Sequence, residues 1–383
     1  MTALNQEQRK IPCVYMRGGT SKAVFFRRED LPQDESTWDE IFLKIFLQCV
    51  GDPAPKQIDG LGGTVSSTSK IAVISPSKRP AADVDFTFFQ VDIDQPKVAH
   101  NVSCGNIGSA VGPYAVDEGL VPAVEPITIV RIYNTNTQKY LEERVRVKNG
   151  HACMYGDTEI QGVPGTGSRV DEIFLDPAGA CTGKLFPTGQ TKDVIAVPGC
   201  GQVPVSIVDS GTLVVFVRAR DLGLTGSEQQ ELNSNTGVMN QLERIRGEAA
   251  VRLGLVSRWE DARKETPAAP DIGILSEAQA YISLDGKAVA KDEMDLCVRA
   301  ISLGKIHKAY PITVTVATAT ALMLPGTLAS ELVAVPKPEK IRLGHASGVM
   351  EVSAQSDGKT IQRVGVIRTA RRIMDGNIYI REE

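Results

Sequence analysis

Four short segments of this chain recur in one order, each about 200 residues further on. Gly19-Thr-Ser-Lys-Ala-Val-Phe-Phe-Arg-Arg-Glu-Asp-Leu31 reappears as Gly211-Thr-Leu-Val-Val-Phe-Val-Arg-Ala-Arg-Asp-Leu222. Ser69-Lys-Ile-Ala-Val-Ile-Ser75 reappears as Pro270-Asp-Ile-Gly-Ile-Leu-Ser276. Cys104-Gly-Asn-Ile107 falls opposite Leu303-Gly-Lys-Ile306, and Ile132-Tyr-Asn-Thr-Asn136 opposite Leu343-Gly-His-Ala-Ser347. Each match alone is short; the shared order argues for a duplication. The period is far too long for a solenoid. It predicts two similar α+β domains, residues 1–190 and 191–383, each of many short strands around one apolar helix. A last strand, about 373–383, is placed to return to the first domain. A pseudo-twofold would bring two helix N-termini to one cleft, where their unpaired N–H groups suit two carboxylates of one ligand.

The local pattern fills in these halves. Pro12 to Arg28 reads as strand, Gly-rich turn, strand, and Thr37 to Val50 as an amphipathic helix presenting Trp38, Ile41, Phe42, Ile45 and Phe46. Strands follow at Ile71–Ile74, Asp83–Ile93, Ile127–Tyr133, Tyr140–Val147 and Ala152–Ile160. The central helix of the first half runs from an N-cap at Ser103, through Cys104 and Gly105 in its first turn, to a stop at Gly119. Its partner in the second half is an Ala/Thr/Val-rich helix running on from Leu303 to Pro325-Gly326, opened by Lys305 and His307.

A thiol in the first turn of a helix faces unpaired N–H groups and the positive end of the dipole, which favour thiolate. The competing reading of Cys104 is a small buried residue. The halves are unequal where chemistry would sit: Lys70 answers to Asp271, and Cys104 to Leu303. Lys70 follows Ser66-Ser-Thr-Ser69, a run of hydroxyl and N–H groups suited to carboxylate oxygens. Desolvated, a lysine exchanges protons near neutrality or stabilises an enolate; the plain alternative is a solvated lysine at a strand edge. The turn Arg17-Gly-Gly-Thr-Ser-Lys22 is either an anion seat or a simple hairpin, and it matches neither Walker A nor the Rossmann fingerprint. Gly162-Val-Pro-Gly-Thr-Gly167 reads as a surface loop. Lys305 and His307 at a helix start suggest an anionic ligand or exposure.

Composition excludes several classes. Formal net charge is −4, from 42 basic and 46 acidic residues among 383, so no broad field for nucleic acid exists. Seven cysteines without a C-x-x-C spacing, and four scattered histidines, fit neither a disulfide framework nor a metal centre. The N-terminus lacks the pattern of a signal or transit segment, and no apolar run reaches membrane-span length. The expected setting is a reducing cytoplasm.

The motifs Met16-Arg-Gly-Gly-Thr-Ser-Lys22, Asp59-Gly-Leu-Gly-Gly-Thr-Val-Ser-Ser-Thr-Ser-Lys70 and Cys104-Gly-Asn106 resemble the PrpF family, and the likeness continues to Ile367-Arg-Thr-Ala-Arg371. The family's members isomerise methylaconitate, methylitaconate, oxalomesaconate or aconitate. The resemblance implies a diaminopimelate epimerase-like α+β fold, in which each of two pseudo-symmetric domains is a barrel-like, mostly antiparallel sheet around a central helix. It implies proton transfer on an unsaturated di- or tricarboxylate, with no cofactor and no metal. Lys70 matches the family's catalytic lysine and Cys104 its acid/base cysteine. Candidate substrate contacts are Arg17, Gly19, Thr20, Ser21, Ser67, Thr68, Ser69, Gly105, Asn106, Asp209, Ser210, Lys305, His307 and Ser347. Two positions depart from the family pattern: Asp271, where a lysine is common, and Ile107, where several members carry methionine. The expected partner is a small carboxylate, with no nucleic acid and no membrane; a homodimer is left open. The favoured reaction is aconitate or methylaconitate isomerisation. The alternatives are an oxalomesaconate-type keto–enol tautomerase, a racemase (against which a leucine in place of a second cysteine argues) and a non-catalytic tricarboxylate-binding protein.

Overall fold

The computed structural model describes residues 7–47, 57, 59–63, 65–93, 96–100, 102–199, 201–333 and 339–381. Positions 48–50 of the expected first helix, and Cys49, Thr64, Asn101 and Cys200, lie outside the described residues. The chain divides into two compact units, Met1–Glu172 with Arg368–Glu383, and Ile173–Ile367. Residues 173–190, assigned above to the first half, thus fall in the second unit.

The first unit contains β1 (Gln8–Gly18), β2 (Ser21–Arg27), α1 (Trp38–Leu47), β3 (Lys70–Pro76), β4 (Val84–Val91), β5 (Val98–Ala99), α2 (Gly105–Gly108), α3 (Val111–Asp117), β6 (Ile127–Asn134), β7 (Lys139–Lys148), β8 (His151–Ala152) and the start of β9 (Arg169–Leu175), whose end falls in the second. In the second lie β10 (Asp193–Val197), β11 (Gly201–Ser210), β12 (Thr212–Arg218), α4 (Thr236–Arg252), α5 (Ala262–Glu265), β13 (Asp271–Glu277), β14 (Tyr281–Ile282), β15 (Ala288–Val289), β16 (Leu296–Ser302), β17 (Lys305–Ile306), α6 (Ile312–Met323), β18 (Ile341–His345), β19 (Gly348–Ser356) and the start of β20 (Ile361–Arg381). The end of β20 pairs with β1, Gln8 opposite Arg381, and so belongs to the first unit.

The same pairing grammar runs through both units. A hairpin (β1–β2; β11–β12) is followed by a parallel neighbour, β3 beside β2 and β13 beside β12. An antiparallel strand comes next, β4 on β3 and β16 on β13. After the central helix a parallel strand returns, β6 beside β4 and β18 beside β16, and then turns back as β7 or β19. Lys70 and Asp271 open equivalent strands, and Ile132 and Leu343 occupy equivalent register positions. The architecture is the α+β, sheet-around-helix fold that the repeat predicts.

Period-2 alternation decides which residues face the central helix. In β2 and β3, Val24, Phe26, Ile71 and Val73 pack with Trp38, Ile41, Phe42 and Ile45 of α1. The intervening Phe25 meets Tyr114 of α3, ring centroids 5.2 Å apart. Lys70 shares the parity of Ala72, so it points to the α2–α3 side. The second unit repeats this: Leu213, Val215, Ile272 and Ile274 pack with Leu242, Ile245 and Ala249 of α4. Residues Ile312–Leu322 of α6 are buried all round, as a helix enclosed by its own sheet must be.

Three expectations are corrected. The helix after Cys104 is broken between α2 and α3, because Pro113 has no N–H for the carbonyl of Ser109 and its ring crowds that carbonyl. Gly119, at φ 66°, ends it as expected. The central helix of the second unit starts at Ile312. Leu303 and Gly304, at φ 48° and 70°, form the two-residue turn of the β16–β17 hairpin. Lys305 and His307 therefore do not open a helix. The strand expected at Ala152–Ile160 is reduced to His151–Ala152 and a bridge between Thr158 and Gly167. Among the described residues, no helix is long and apolar enough to cross a membrane.

Candidate active site

Lys70 is buried at the first position of β3. Its ammonium donates to Gln90 Oε1, lies 5.1 Å from the centroid of the Phe88 ring and hydrogen-bonds to the side chain of Cys104. Burial pulls the Lys70 pKa below its ordinary value, and the Cys104 sulfur, as an anion and as a hydrogen-bond partner, opposes that pull. The two groups singled out from the sequence thus form one pair within one unit.

Gln90 is held for its task. It lies opposite Lys70 in the β3–β4 register. Its Nε2 donates to the carbonyls of Ser66 (3.2 Å), Ser69 (2.9 Å) and Val91 (3.1 Å), which turns Oε1 toward the lysine. The Ser66–Thr68 turn therefore acts largely through its backbone. Ser69 is buried, with Oγ donating to Gln57 Oε1 at 3.1 Å, and Thr68 Oγ1 donates to Val65 O at 3.1 Å. Ser67 is half-buried beside them.

Cys104 is the N-cap residue of α2 and is partly exposed; Ser103 is not the cap. The Ser103 hydroxyl accepts instead from Asn134 Nδ2 at 2.6 Å. Asn136 Nδ2 donates to Phe88 O (2.8 Å) and His100 O (2.7 Å). The turn after β6 thus ties down the segment leading into Cys104. Gly105 and Asn106 follow in α2, both buried.

The Arg17–Ser21 hairpin closes on Asn106. Gly18 and Gly19 approach so near that an added Cβ would stand 2.1 Å from Asn106 O and 2.0 Å from Asn106 Oδ1. Thr20 N–H donates to Asn106 Oδ1 at 3.3 Å, and Gly19 needs its φ of 48° to make the turn. Ser21, buried, pairs with Gly18. Arg17 Nη1 donates to Gly19 O (2.9 Å) and Thr369 O (2.8 Å). Its pKa is lowered by burial and then by Arg371. Arg368, buried on β20, is lowered to about 10 by burial and Arg17 against the pull of Glu172.

The candidates of the second unit have other employment. Asp209 is fully buried, accepting from Cys181 N–H (3.0 Å), Thr182 N–H (2.6 Å) and Thr182 Oγ1 (2.7 Å). Ser210 Oγ pairs with Thr320 Oγ1 at 2.8 Å. Lys305 is exposed, His307 Nδ1 accepts from Ala309 N–H at 3.1 Å, and Ser347 Oγ donates to Lys308 O at 2.5 Å. Asp271 is buried with Ser302 beside it, and burial raises its pKa to about 7. The position equivalent to Cys104 is Pro311, the N-cap of α6, rather than Leu303; neither is a cysteine. Among the described residues, no group of three or more His, Cys, Asp or Glu side chains is arranged to hold a metal ion.

Sequence reasoning missed Gln90, Arg368 and the carboxyls of Glu143 and Glu172. The signal was present: each interrupts the inward series of an alternating strand, as in Val84-Phe86-Phe88-Gln90 and Leu141-Glu143-Val145.

Fold and site together define a class: duplicated sheet-and-helix proteins with a buried lysine held against a thiol at the head of a central helix. The model of one family, described as PrpF protein, matches residues 8–381, and the chain belongs to the PrpF family. It is 42% identical to a 3-methylitaconate isomerase of Eubacterium barkeri, over 98% of each chain. It is 38% identical to a 2-methyl-aconitate isomerase of Shewanella oneidensis, over 97% of each. The solved methylitaconate-delta-isomerase superposes with a TM-score of 0.83 at 41% identity, covering 98% of this chain and 96% of that one. A hydroxyproline epimerase from Agrobacterium vitis, at 13% identity and a TM-score of 0.57 over 98% and 93%, shares the fold.

Proposed function

We propose that the protein is an isomerase that moves a proton and a double bond within an unsaturated di- or tricarboxylate, with aconitate or 2-methylaconitate the favoured substrate. The observation that carries this reading is the Lys70–Cys104 pair, buried lysine against partly exposed thiol. One member of the pair removes a proton from the carbon next to a carboxylate. The electron pair of that C–H bond becomes part of a dienolate, whose charge the Lys70 ammonium and the N–H group of Gly105 stabilise. The proton returns at the far end of the three-carbon unit, and the double bond shifts. Rotation about the new single bond before reversal converts cis to trans. A base and an acid poised near working pH suffice for these steps.

Homologues named for methylitaconate and methylaconitate support the reaction class and leave the side chain of the substrate to experiment. A reducing, cytoplasmic setting is part of the reading, since Cys13, Cys104, Cys153, Cys181 and Cys297 are all free thiols. The test is incubation with cis-aconitate, trans-aconitate, 2-methylaconitate and methylitaconate, followed by NMR. Interconversion of at least one pair is expected. Binding of all four without turnover would replace the enzyme with a carboxylate-binding protein.

A further inference from the structure

A row of cations crosses the turn end of the β1–β2 hairpin, and the proposed reaction does not use it. Register sets Lys22 of β2 opposite Arg17 of β1, and Arg17 opposite Arg371 of β20. Residues directly opposite in an antiparallel pair share a face, with Cβ atoms about 4.5–5.5 Å apart. Lys22, Arg17 and Arg371 therefore stand abreast. Alternation decides which face they share. Cys13 and Tyr15, of the same parity on β1, pack toward α1, as does Val24 of β2. Gly18 turns the other way: a Cβ there would stand 2.1 Å from Asn106 O and 3.1 Å from Ala110 Cβ. Arg17, a candidate substrate contact by sequence, thus points away from the α2–α3 side to which Lys70 belongs.

Like charges set directly opposite destabilise a sheet, and the chain does not neutralise these. The one acid on the three strands, Asp375, faces Arg372 at 3.8 Å. Just beyond the strands, Glu29 pairs with Arg27, and Glu118 with Arg27 and Arg372. Among the described residues, Lys22 and Arg371 have no acidic partner. Lys22 Nζ leans over the Tyr15 ring, 5.5 Å from its centroid. Arg17 is half-buried and pinned by Nη1 to the carbonyls of Gly19 and Thr369; its Nε and Nη2 make no hydrogen bond among the described residues. Nor does the hairpin need these charges to fold. The corresponding hairpin of the second unit, β11–β12, sets Asp209 opposite Leu213.

We propose that Lys22, Arg17 and Arg371 form a seat for a multiply charged oxyanion, either a phosphate group or a compact polycarboxylate, on the face of the sheet opposite to Lys70. The free guanidinium donors suit paired oxygens, and Lys22 adds a charge on a flexible stem. Bound there, the anion turns repulsion across the strands into attraction and ties β20 to the hairpin whose turn rests on Asn106.

The seat is read without reference to the reaction, and its test needs no turnover, so either can fail alone. Inorganic phosphate and citrate are titrated separately by calorimetry, at constant ionic strength held with sodium chloride, with thermal melting in parallel. At least one should bind and raise the melting temperature. Its Kd should rise roughly tenfold or more in Lys22→Gln and in Arg371→Gln. Arg363→Gln, exposed elsewhere on β20, removes the same net charge and should leave Kd unchanged. Phosphate affinity lost in the row variants names a phosphate group as the ligand; citrate affinity lost there names a polycarboxylate. Binding by neither anion, an equal loss in Arg363→Gln, or affinity that falls in Lys70→Met and not in the row variants would overturn the proposal. Should one row variant fail to fold, the other decides.

Discussion

Gln90 provides the sharpest test of how Lys70 is held. Gln90→Leu replaces the amide with a side chain of similar size and removes the oxygen that accepts from the lysine. A hydrogen bond to a charged group contributes about 1.5–3 kcal/mol. Its loss acts only on the ammonium form, and 1.36 kcal/mol corresponds to one pH unit. Lys70 is already pulled down by burial, with Cys104 its remaining counterweight. The variant should therefore lose the Lys70 proton roughly one to two pH units earlier. The sign is fixed: a buried cation stripped of an acceptor becomes a stronger acid. Where the reaction needs the charged lysine, the alkaline limb of kcat/KM moves down by that amount. Stability falls as well, because the carbonyls of Ser66, Ser69 and Val91 lose a donor. The pH profile of kcat/KM is the assay, with near-UV circular dichroism confirming a native fold at each pH. A folded variant whose alkaline limb stays in place, or moves up, refutes the reasoning.

Other outcomes follow from the same geometry. Gly19→Ala must fit a Cβ 2.0 Å from Asn106 Oδ1 at a left-handed φ, a conformation that costs about 1–3 kcal/mol in a non-glycine residue; kcat should fall at least about tenfold while the fold survives, as single-turnover kinetics would register. Gly112→Ala displaces the Glu143 carboxyl that accepts its N–H, and thermal melting should show a loss of about 1–3 kcal/mol from overpacking. Asp271→Asn should stabilise the protein progressively as pH rises. The Asp271 pKa is raised from an ordinary 3.8 to about 7, so its full contribution is present below about 4 and is lost as pH climbs to 7. The shift corresponds to roughly 4 kcal/mol, and the melting-temperature difference between variant and parent should be small at pH 4 and largest above pH 7.

The sequence disclosed the fold through its repeat, because strand order and hairpin turns leave local marks: Gly19 and Gly211, and Lys70 and Asp271, hold equivalent places. The Lys70–Cys104 pair was legible for a related reason. A lysine one step from an apolar strand is forced by alternation onto the helix side. The match of Cys104 to Leu303 misled, since Gly304 serves a hairpin turn and not a helix start. A glycine in a short motif does not announce which turn needs it. Pro113 did carry the information that breaks the helix. Gln90 beside Lys70, and Glu143 and Glu172 beside Gly112 and Gly108, are brought there by strand register, and register is set by contacts distant in sequence. Asp209 and Ser210 lie at the right landmark, yet their hydrogen bonds are taken by Cys181, Thr182 and Thr320.

The central claim is that Lys70 and Cys104 move one proton together. Its most direct test is proton NMR in D2O with a substrate that the wild type interconverts, comparing Cys104→Ser and Lys70→Met with the parent. The account predicts deuterium entering the allylic carbons during wild-type turnover and a loss of both exchange and isomerisation in each folded variant. Wild-type rates of exchange and conversion in either variant would contradict it.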